Sequence, residues 1–382
     1  MAETWAGLLA RWTEAGLIDA QTADRIRAYE LTQQRPATLG WSVRIALAFG
    51  ALMLGAGTLL FVSANWNALS PEARFGMVTL LVAVFHIAGA ALSQRFARMA
   101  SALHAVGTVA LGAGIYLAGQ IFNLDEHWPG GLMLWALGAA LGWALLKDWP
   151  QLALVAILAP AWLTSEWFVA AGADFWIGYG WNPARIAASG IFLLALAYFT
   201  AAREEGVGVR VKTLLHIGRV ALIPAAFCMT AFTLEAPPPF GQAVASSAGL
   251  SAVGWAAAIG LPLGLAIVLR RAAAWPNAVA VLWVLVLVTL RPMIDGTLLY
   301  AWWALGAAAL AAWGVGEARS ERINMGMVIF GLTILAFYFS HVMDKLGRSA
   351  SLVGFGLLFL TTGWALDRVR RRLILQTRGG AA

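Results

Sequence analysis

The densest group of polar side chains in the chain follows an apolar, glycine-containing segment and precedes a Pro-Gly-Gly turn. It consists of Gln120, Asn123, Asp125, Glu126 and His127. Three further ionisable residues border apolar segments later in the chain, namely Glu166, Arg291 and Asp295. If these groups converge, they form a polar vestibule that binds a cation, a proton or a lipid head group. The alternative is that each residue solvates only its own helix end.

Two of the five histidines, His86 and His104, occur at similar depth in consecutive apolar segments. A contact between them would suit a proton relay or a bound metal, but the sequence favours two separately hydrogen-bonded histidines. No histidines show i, i+4 or HExxH spacing, and the single Cys228 excludes an intramolecular disulfide and a cysteine-based metal site. No cofactor or metal is therefore predicted.

The chain contains none of the sequence motifs that mark common catalytic sites. GxSxG, the P-loop, GxGxxG after a strand and CxxC are all missing from the 382 residues. Two carboxylates and an arginine could still serve acid–base chemistry on a lipid-linked substrate. No catalytic residue is assigned, and an enzyme is the third hypothesis for this chain.

Long apolar helices must position these polar groups. Hydrophobic residues make up 61% of the chain and charged residues 12%, about half of the roughly 25% charge of soluble proteins. Repeated apolar runs near 20 residues are long enough to cross a hydrocarbon layer of about 30 Å. They predict an all-α fold, a polytopic transmembrane bundle over residues 41–368 with about twelve spans. These are 44–63, 74–93, 100–119, 130–147, 151–168, 184–202, 213–233, 249–269, 276–290, 298–316, 322–341 and 350–367.

Two features suggest how the spans are arranged. The charged loop at 203–212 divides them into possible halves, 44–202 and 213–367, as in many transporters, although no sequence repeat relates the two. The GxxxG pairs Gly138/Gly142 and Gly260/Gly264 predict close helix packing.

The basic residues alternate strongly between the two sides of this map. The side of residues 1–43 holds Arg11, Arg25, Arg27, Arg35, Arg95, Arg98, Lys147, Arg203, Arg210, Lys212, Arg270, Arg271, Arg319, Arg322, Arg368, Arg370, Arg371, Arg372 and Arg378. The other side holds Arg74, Arg185, Arg291, Lys345 and Arg348. The positive-inside rule then places both termini, including the basic tail 369–382, in the cytoplasm. The excess of Arg over Lys and the many Ala and Gly residues suggest a GC-rich bacterial genome, and hence a bacterial inner membrane. Because the net charge of +7 is spread over these clusters, no nucleic-acid partner is predicted.

Residues 1–40 are polar and predict a small cytoplasmic helical hairpin. Gly16 is placed to end the first helix and Asp19 to cap the second, with Ile26 and Tyr29 facing inward. The acidic residues of this segment exclude a signal peptide. The hairpin is interpreted either as a packing element or as a docking or oligomerisation module.

Three stretches resemble a bacterial family of predicted membrane proteins, domain of unknown function 2157. They are the hairpin with Gly16-Leu17-Ile18, the run at 64–69 followed by Arg74, and the run at 119–123 with Trp128-Pro129 and the span after it. The resemblance covers about residues 5–165. It implies a polytopic inner-membrane protein with no established activity and supplies no catalytic residues.

The residues favour a transporter-like protein with an outward-facing polar vestibule. The alternative is a non-catalytic membrane sensor or scaffold whose hairpin recruits a protein partner or a second copy. Membrane lipids are partners in either case. No pattern in the sequence specifies the solute, the coupling ion or the oligomeric state.

Overall fold

A computed structural model describes residues 5–33, 69–121, 127–172, 181–202, 208–234, 247–290 and 296–342, together with isolated residues at 53, 354, 356–357, 361, 363 and 368. The described residues are mostly helical, and no β-strand occurs among them. They divide into two compact units, residues 1–74 and residues 75–382.

The first unit contains a helical hairpin at the predicted place. Helix α1 (Trp5–Glu14) and helix α2 (Ala20–Gln33) are joined through Gly16, whose φ of +69° suits a residue without a Cβ. Asp19 Oδ1 accepts a hydrogen bond from Thr22 N at 2.9 Å and so caps α2. The predicted inward position of Tyr29 is wrong, because 62% of this residue is exposed.

Ten further α-helices follow in the described residues. They are α3 (Pro71–Leu92), α4 (Ala97–Ile121), α5 (Pro129–Leu146), α6 (Trp149–Ala170), α7 (Trp181–Phe199), α8 (Val209–Leu234), α9 (Ala248–Arg270), α10 (Trp275–Leu290), α11 (Gly296–Gly316) and α12 (Ser320–Phe337). A 3-10 turn, Arg271–Ala274, joins α9 to α10, and a π-helical turn, Tyr338–Val342, extends α12.

The prediction of an all-α bundle of membrane-length helices is confirmed. Eight helical segments are long and apolar enough to cross a membrane, one of which, Ala248–Thr289, holds both α9 and α10. Helix α7 contributes a shorter apolar segment. Ten of the twelve predicted spans coincide with these helices. The spans at 44–63 and 350–367 lie outside the continuously described residues, so the total of twelve stays a prediction.

Turn chemistry in the sequence explains the junction between α5 and α6. Lys147 has φ +56°, a left-handed conformation that ends α5. Asp148 then accepts a hydrogen bond from Gln151 N, and Pro150 occupies the first turn of α6. Pro160 does not stop α6, which is 22 residues long and continues to Ala170.

Glycines set the closest approaches between helices. A Cβ at Gly218 of α8 would lie 2.2 Å from Phe199 N, and one at Gly326 of α12 would lie 2.7 Å from Ala307 O, so α7–α8 and α11–α12 have touching backbones. Gly138 and Gly142 pack against side chains of neighbouring helices, as predicted. At Gly260 and Gly264 a Cβ would meet nothing within 4 Å among the described residues, so close packing at this second pair stays a prediction.

Helices α7, α8, α10, α11 and α12 share the largest apolar core among the residues that the structure describes. Its most buried members are Phe199, Leu222, Met229, Val284, Leu287 and Leu299. By contrast, many large apolar side chains are exposed on the outside of the helices, as expected where lipid rather than water surrounds a bundle.

Candidate functional site

A line of polar side chains runs along one face of α4. Ser101, His104 and Thr108 are spaced three and four residues apart and therefore share that face. Ser101 Oγ donates to Asp148 Oδ2 at 2.6 Å, and Gln151 Nε2 donates to Thr108 Oγ1 at 2.9 Å. Gln151 and Thr108 are almost fully buried. We call this group, together with His86 of α3, the polar seam.

The structure brings His86 and His104 together. Their Nδ1 atoms are 3.0 Å apart, a hydrogen bond in which one ring must donate and the other accept. Each ring lies over a glycine of the opposite helix: a Cβ at Gly89 would be 2.8 Å from His104 Nε2, and one at Gly107 would be 2.9 Å from His86 Nε2. The two glycines thus provide the space that the pair needs between the apolar helices α3 and α4.

The pair can share a proton more readily than it can hold a metal ion. Two imidazole nitrogens supply only two ligands, whereas protein zinc sites usually have three or four. No group of three or more His, Cys, Asp or Glu residues that could hold a metal ion occurs in the part of the chain that the structure describes.

A second ionisable pair lies at the other end of α6. His127 Nε2 is 2.5 Å from Glu166 Oε2, and Trp162 Nε1 donates to Glu166 Oε1 at 2.8 Å. Gln120 is exposed near the end of α4. The other members of the predicted vestibule, Asn123, Asp125, Glu126, Arg291 and Asp295, lie outside the described residues. The structure therefore joins two of the eight candidate vestibule residues, His127 and Glu166.

A buried ionic group that the sequence interpretation overlooked lies at one end of the bundle. The helices α7, α9 and α11 all end there. Arg270 Nη2 and Arg322 Nη1 bind the two carboxylate oxygens of Glu317, at 2.5 and 2.6 Å. Arg322 Nη2 also donates to the Ala202 carbonyl at 2.6 Å, and Arg270 Nη1 donates to the Thr200 carbonyl. We call Arg270, Glu317 and Arg322 the arginine cluster.

Trp313 contacts all three residues of the arginine cluster. The guanidinium carbons of Arg270 and Arg322 lie 5.1 and 4.9 Å from the centroid of its indole ring, within cation–π range. Its Nε1 donates to Glu317 Oε1 at 2.6 Å. Burial raises the pKa of the Glu317 carboxyl, but the hydrogen bonds from Trp313 and Arg322 outweigh this effect and hold the pKa below its ordinary value of 4.5.

A spacing that occurs twice in the sequence could have revealed the sites around Glu166 and Glu317. Trp162 precedes Glu166 by four residues, and Trp313 precedes Glu317 by four residues. On a helix this spacing places the indole N–H next to the carboxylate, and both hydrogen bonds form. A Trp-x-x-x-Glu pattern in an apolar helix therefore indicates a glutamate whose carboxylate accepts a hydrogen bond from the indole N–H.

Beside the arginine cluster lies a cavity of about 650 Å³, lined by residues of α7, α8, α10, α11 and α12. Its walls are apolar except at one end, where Glu317 borders it. A smaller cavity of about 270 Å³ lies among α6, α7 and α9 and has apolar walls apart from two hydroxyls, those of Thr164 and Tyr198.

The apolar helices and the buried charge clusters define a multi-pass helical membrane protein. Residues 10–153 match the model of a family described as predicted membrane protein (DUF2157), in agreement with the resemblance over the N-terminal part of the chain. The match contains every residue of the polar seam and ends before Glu166 and the arginine cluster. Searches of curated proteins and of solved structures return no match.

Proposed function

We propose that the protein is transporter-like and that helices α3–α6 handle a proton or a small cation. The observation that carries this proposal is the His86–His104 contact between two apolar helices. Ionisable side chains at membrane depth are costly and commonly mark ion pathways or proton relays. Histidine is the side chain whose ordinary pKa allows proton uptake and release near neutral pH.

Polar groups at both ends of α6 support a route along these helices. Asp148 and Gln151 connect the start of α6 to the polar seam, and Glu166 binds His127 near its other end. Gln151 and Glu166 are separated by roughly 22 Å along the helix axis, most of the hydrocarbon thickness. In this proposal the vestibule around Glu166 faces outward and receives the solute.

The orientation in the membrane is also part of the proposal. The alternation of basic residues supports a bacterial inner-membrane location with both termini in the cytoplasm. In that orientation the arginine cluster lies at the cytoplasmic side and the His127–Glu166 pair at the outer side.

We expect His86→Asn and His104→Asn, singly and together, to lower proton flux by about tenfold or more. Asparagine preserves hydrogen-bonding capacity but does not titrate near neutral pH. The measurement is acidification of proteoliposomes that contain a pH-sensitive dye. His216→Asn is the matched control, because His216 is exposed on α8 and its Nδ1 contacts the Lys212 carbonyl of the same helix at 2.7 Å.

The same assay tests the vestibule with Glu166→Gln and Asp125→Asn. Wild-type proton flux and solute flux in all of these variants, over the full pH range, would contradict a transporter-like function.

A sensor or scaffold is the second candidate, and the hairpin favours it. Leu17 is 73% exposed and Trp12 is 42% exposed on this compact N-terminal unit. Exposed apolar side chains on a folded module are typical of protein–protein contacts. A protein partner or a second copy of the chain would bind here.

Deletion of residues 1–38 separates the two candidates. For a transporter we expect the remaining bundle to retain flux in proteoliposomes, since the polar seam lies entirely in the second unit. For a scaffold we expect the full chain, but not the truncated chain, to retain its partner in a pull-down from native membranes. A Leu17→Glu variant tests the exposed surface without removing the hairpin.

A further inference from the structure

We propose that the cavity beside the arginine cluster binds a neutral long-chain lipid with a hydroxyl head, such as a diacylglycerol or a long-chain alcohol. The cavity lies in the second half of the chain, away from the polar seam, so this inference does not depend on the transport proposal.

The shape of the cavity fits a lipid chain. It extends along α11 from Trp303 to Glu317, roughly 21 Å, which exceeds the thickness of half a bilayer core. The α11 wall is built largely from small residues, including Gly306, Ala307 and Ala309, and these leave room between α10 and α11. Such a volume, of about 650 Å³, lies within the usual range of small-molecule sites.

The cavity is open toward the outside of the bundle. Trp275, Val279, Ala309 and Ala312 line it and are also exposed on the helix surfaces. Because lipid hydrocarbon surrounds the bundle at this depth, a ligand can enter sideways from the membrane without passing through water.

One end of the cavity offers a single polar acceptor. Among the described residues that line it, Glu317 alone is ionisable. An ionised carboxylate has about four acceptor positions, and the described residues fill three of them, from Trp313, Arg270 and Arg322. The Glu317 side chain is 20% exposed and lines the cavity, and we place one donor from the ligand at its fourth position.

The charges around Glu317 select a neutral donor. The Arg270 and Arg322 side chains are 0% and 2% exposed, so a phosphate head group would meet the carboxylate and would not reach the guanidinium groups. An ammonium head group is also disfavoured, because two arginines and one glutamate already leave a net positive charge. A hydroxyl donates one hydrogen bond and adds no charge, and it therefore matches this end of the cavity.

The test uses the full chain in nanodiscs with a photoreactive diacylglycerol whose label is on the acyl chain. We expect crosslinks on α10 and α11 peptides, identified by mass spectrometry. Ala309→Trp fills the cavity and should reduce this labelling by about tenfold. Ala308→Trp is the matched control, since Ala308 precedes Ala309 in the chain, is also exposed and does not line the cavity. Ala312→Leu gives a second, smaller obstruction if Ala309→Trp does not fold.

Competition defines the head group. Unlabelled diacylglycerol should displace the probe, whereas phosphatidic acid and phosphatidylethanolamine with the same acyl chains should compete at least about tenfold less well. Equal labelling of the Ala309→Trp, Ala312→Leu and Ala308→Trp variants would overturn the proposal, as would competition by phosphatidic acid equal to that by diacylglycerol. His86→Asn should leave the lipid labelling unchanged. The lipid proposal and the transport proposal can therefore fail independently of each other.

Discussion

Glu317→Gln is expected to lower the free energy of unfolding by about 3–5 kcal/mol, the typical cost of removing one partner from a buried ion pair. The substitution leaves the guanidinium groups of Arg270 and Arg322 buried with no counter-charge, since both bind the Glu317 carboxylate. The neutral amide also presents its NH₂ group to two cations. Loss of folded protein is therefore the main expected effect.

Thermal unfolding of the purified protein in one detergent measures this effect. Glu321→Gln is the matched control, because Glu321 pairs with Arg319 at 3.1 Å but is more exposed than Glu317. Arg319 is buried, but the Glu321 carboxylate is 36% exposed and is screened by solvent, so this control should cost less stability than Glu317→Gln. Equal melting temperatures for the two variants would show that the arginine cluster does not stabilise the fold.

The stability difference between wild type and Glu317→Gln should also depend on pH. The pKa of Glu317 in the folded chain is lower than its ordinary value of 4.5. The stabilisation by the carboxylate is therefore complete above about pH 4.5 and is lost as the pH falls through the lower folded-state pKa. We expect the two melting curves to converge in that acidic range. A difference that stays constant down to the acid limit would contradict the ionised state of Glu317.

Gly218→Ala is expected to destabilise the bundle by about 1–3 kcal/mol, the usual cost of an overpacked core. The new Cβ would lie 2.2 Å from Phe199 N and 2.6 Å from Ala195 O. Both atoms belong to the backbone of α7, so no side-chain rotation can relieve the clash. Helices α7 and α8 would have to move apart and lose contacts in the largest apolar core.

Gly260→Ala is the matched control for this prediction. Gly260 also lies within an apolar helix, but a Cβ there meets nothing within 4 Å among the described residues. Alanine is favoured over glycine in helices by up to about 1 kcal/mol, so this variant should be neutral or slightly stabilised. The measurement is again the melting temperature in detergent. A Gly218→Ala protein that melts at or above the temperature of Gly260→Ala would refute the backbone contact between α7 and α8.

Much of the fold could be predicted from the sequence. Apolar runs near 20 residues identified the helices from 74–93 to 322–341, because the length and hydropathy of a spanning helix are local properties of the chain. The hairpin could be predicted equally well, since Gly16 and Asp19 act on their immediate neighbours. Similar depth in consecutive helices allowed a contact between His86 and His104, but the sequence favoured two separately hydrogen-bonded histidines, and the structure is what brings the rings together.

The arginine cluster could not be predicted in the same way. The sequence shows Arg270 and Arg322 beside short loops, where basic residues commonly serve only to orient the protein in the membrane. Their partners Glu317, Thr200 and Ala202 include residues up to 122 positions away. Only the packing of α7, α9, α11 and α12 decides that these guanidinium groups are buried and paired.

Sequence alone determined the helical membrane class, the place of the helices and the identity of the ionisable residues, because each depends on residues a few positions apart. Tertiary structure decided which of those residues meet. Gly218 and Gly260 show the difference: both are helical glycines in apolar surroundings, yet within the described part of the chain only Gly218 touches a neighbouring backbone. Burial, charge pairing and close approach are properties of the space between helices, and that space exists only after the helices have packed.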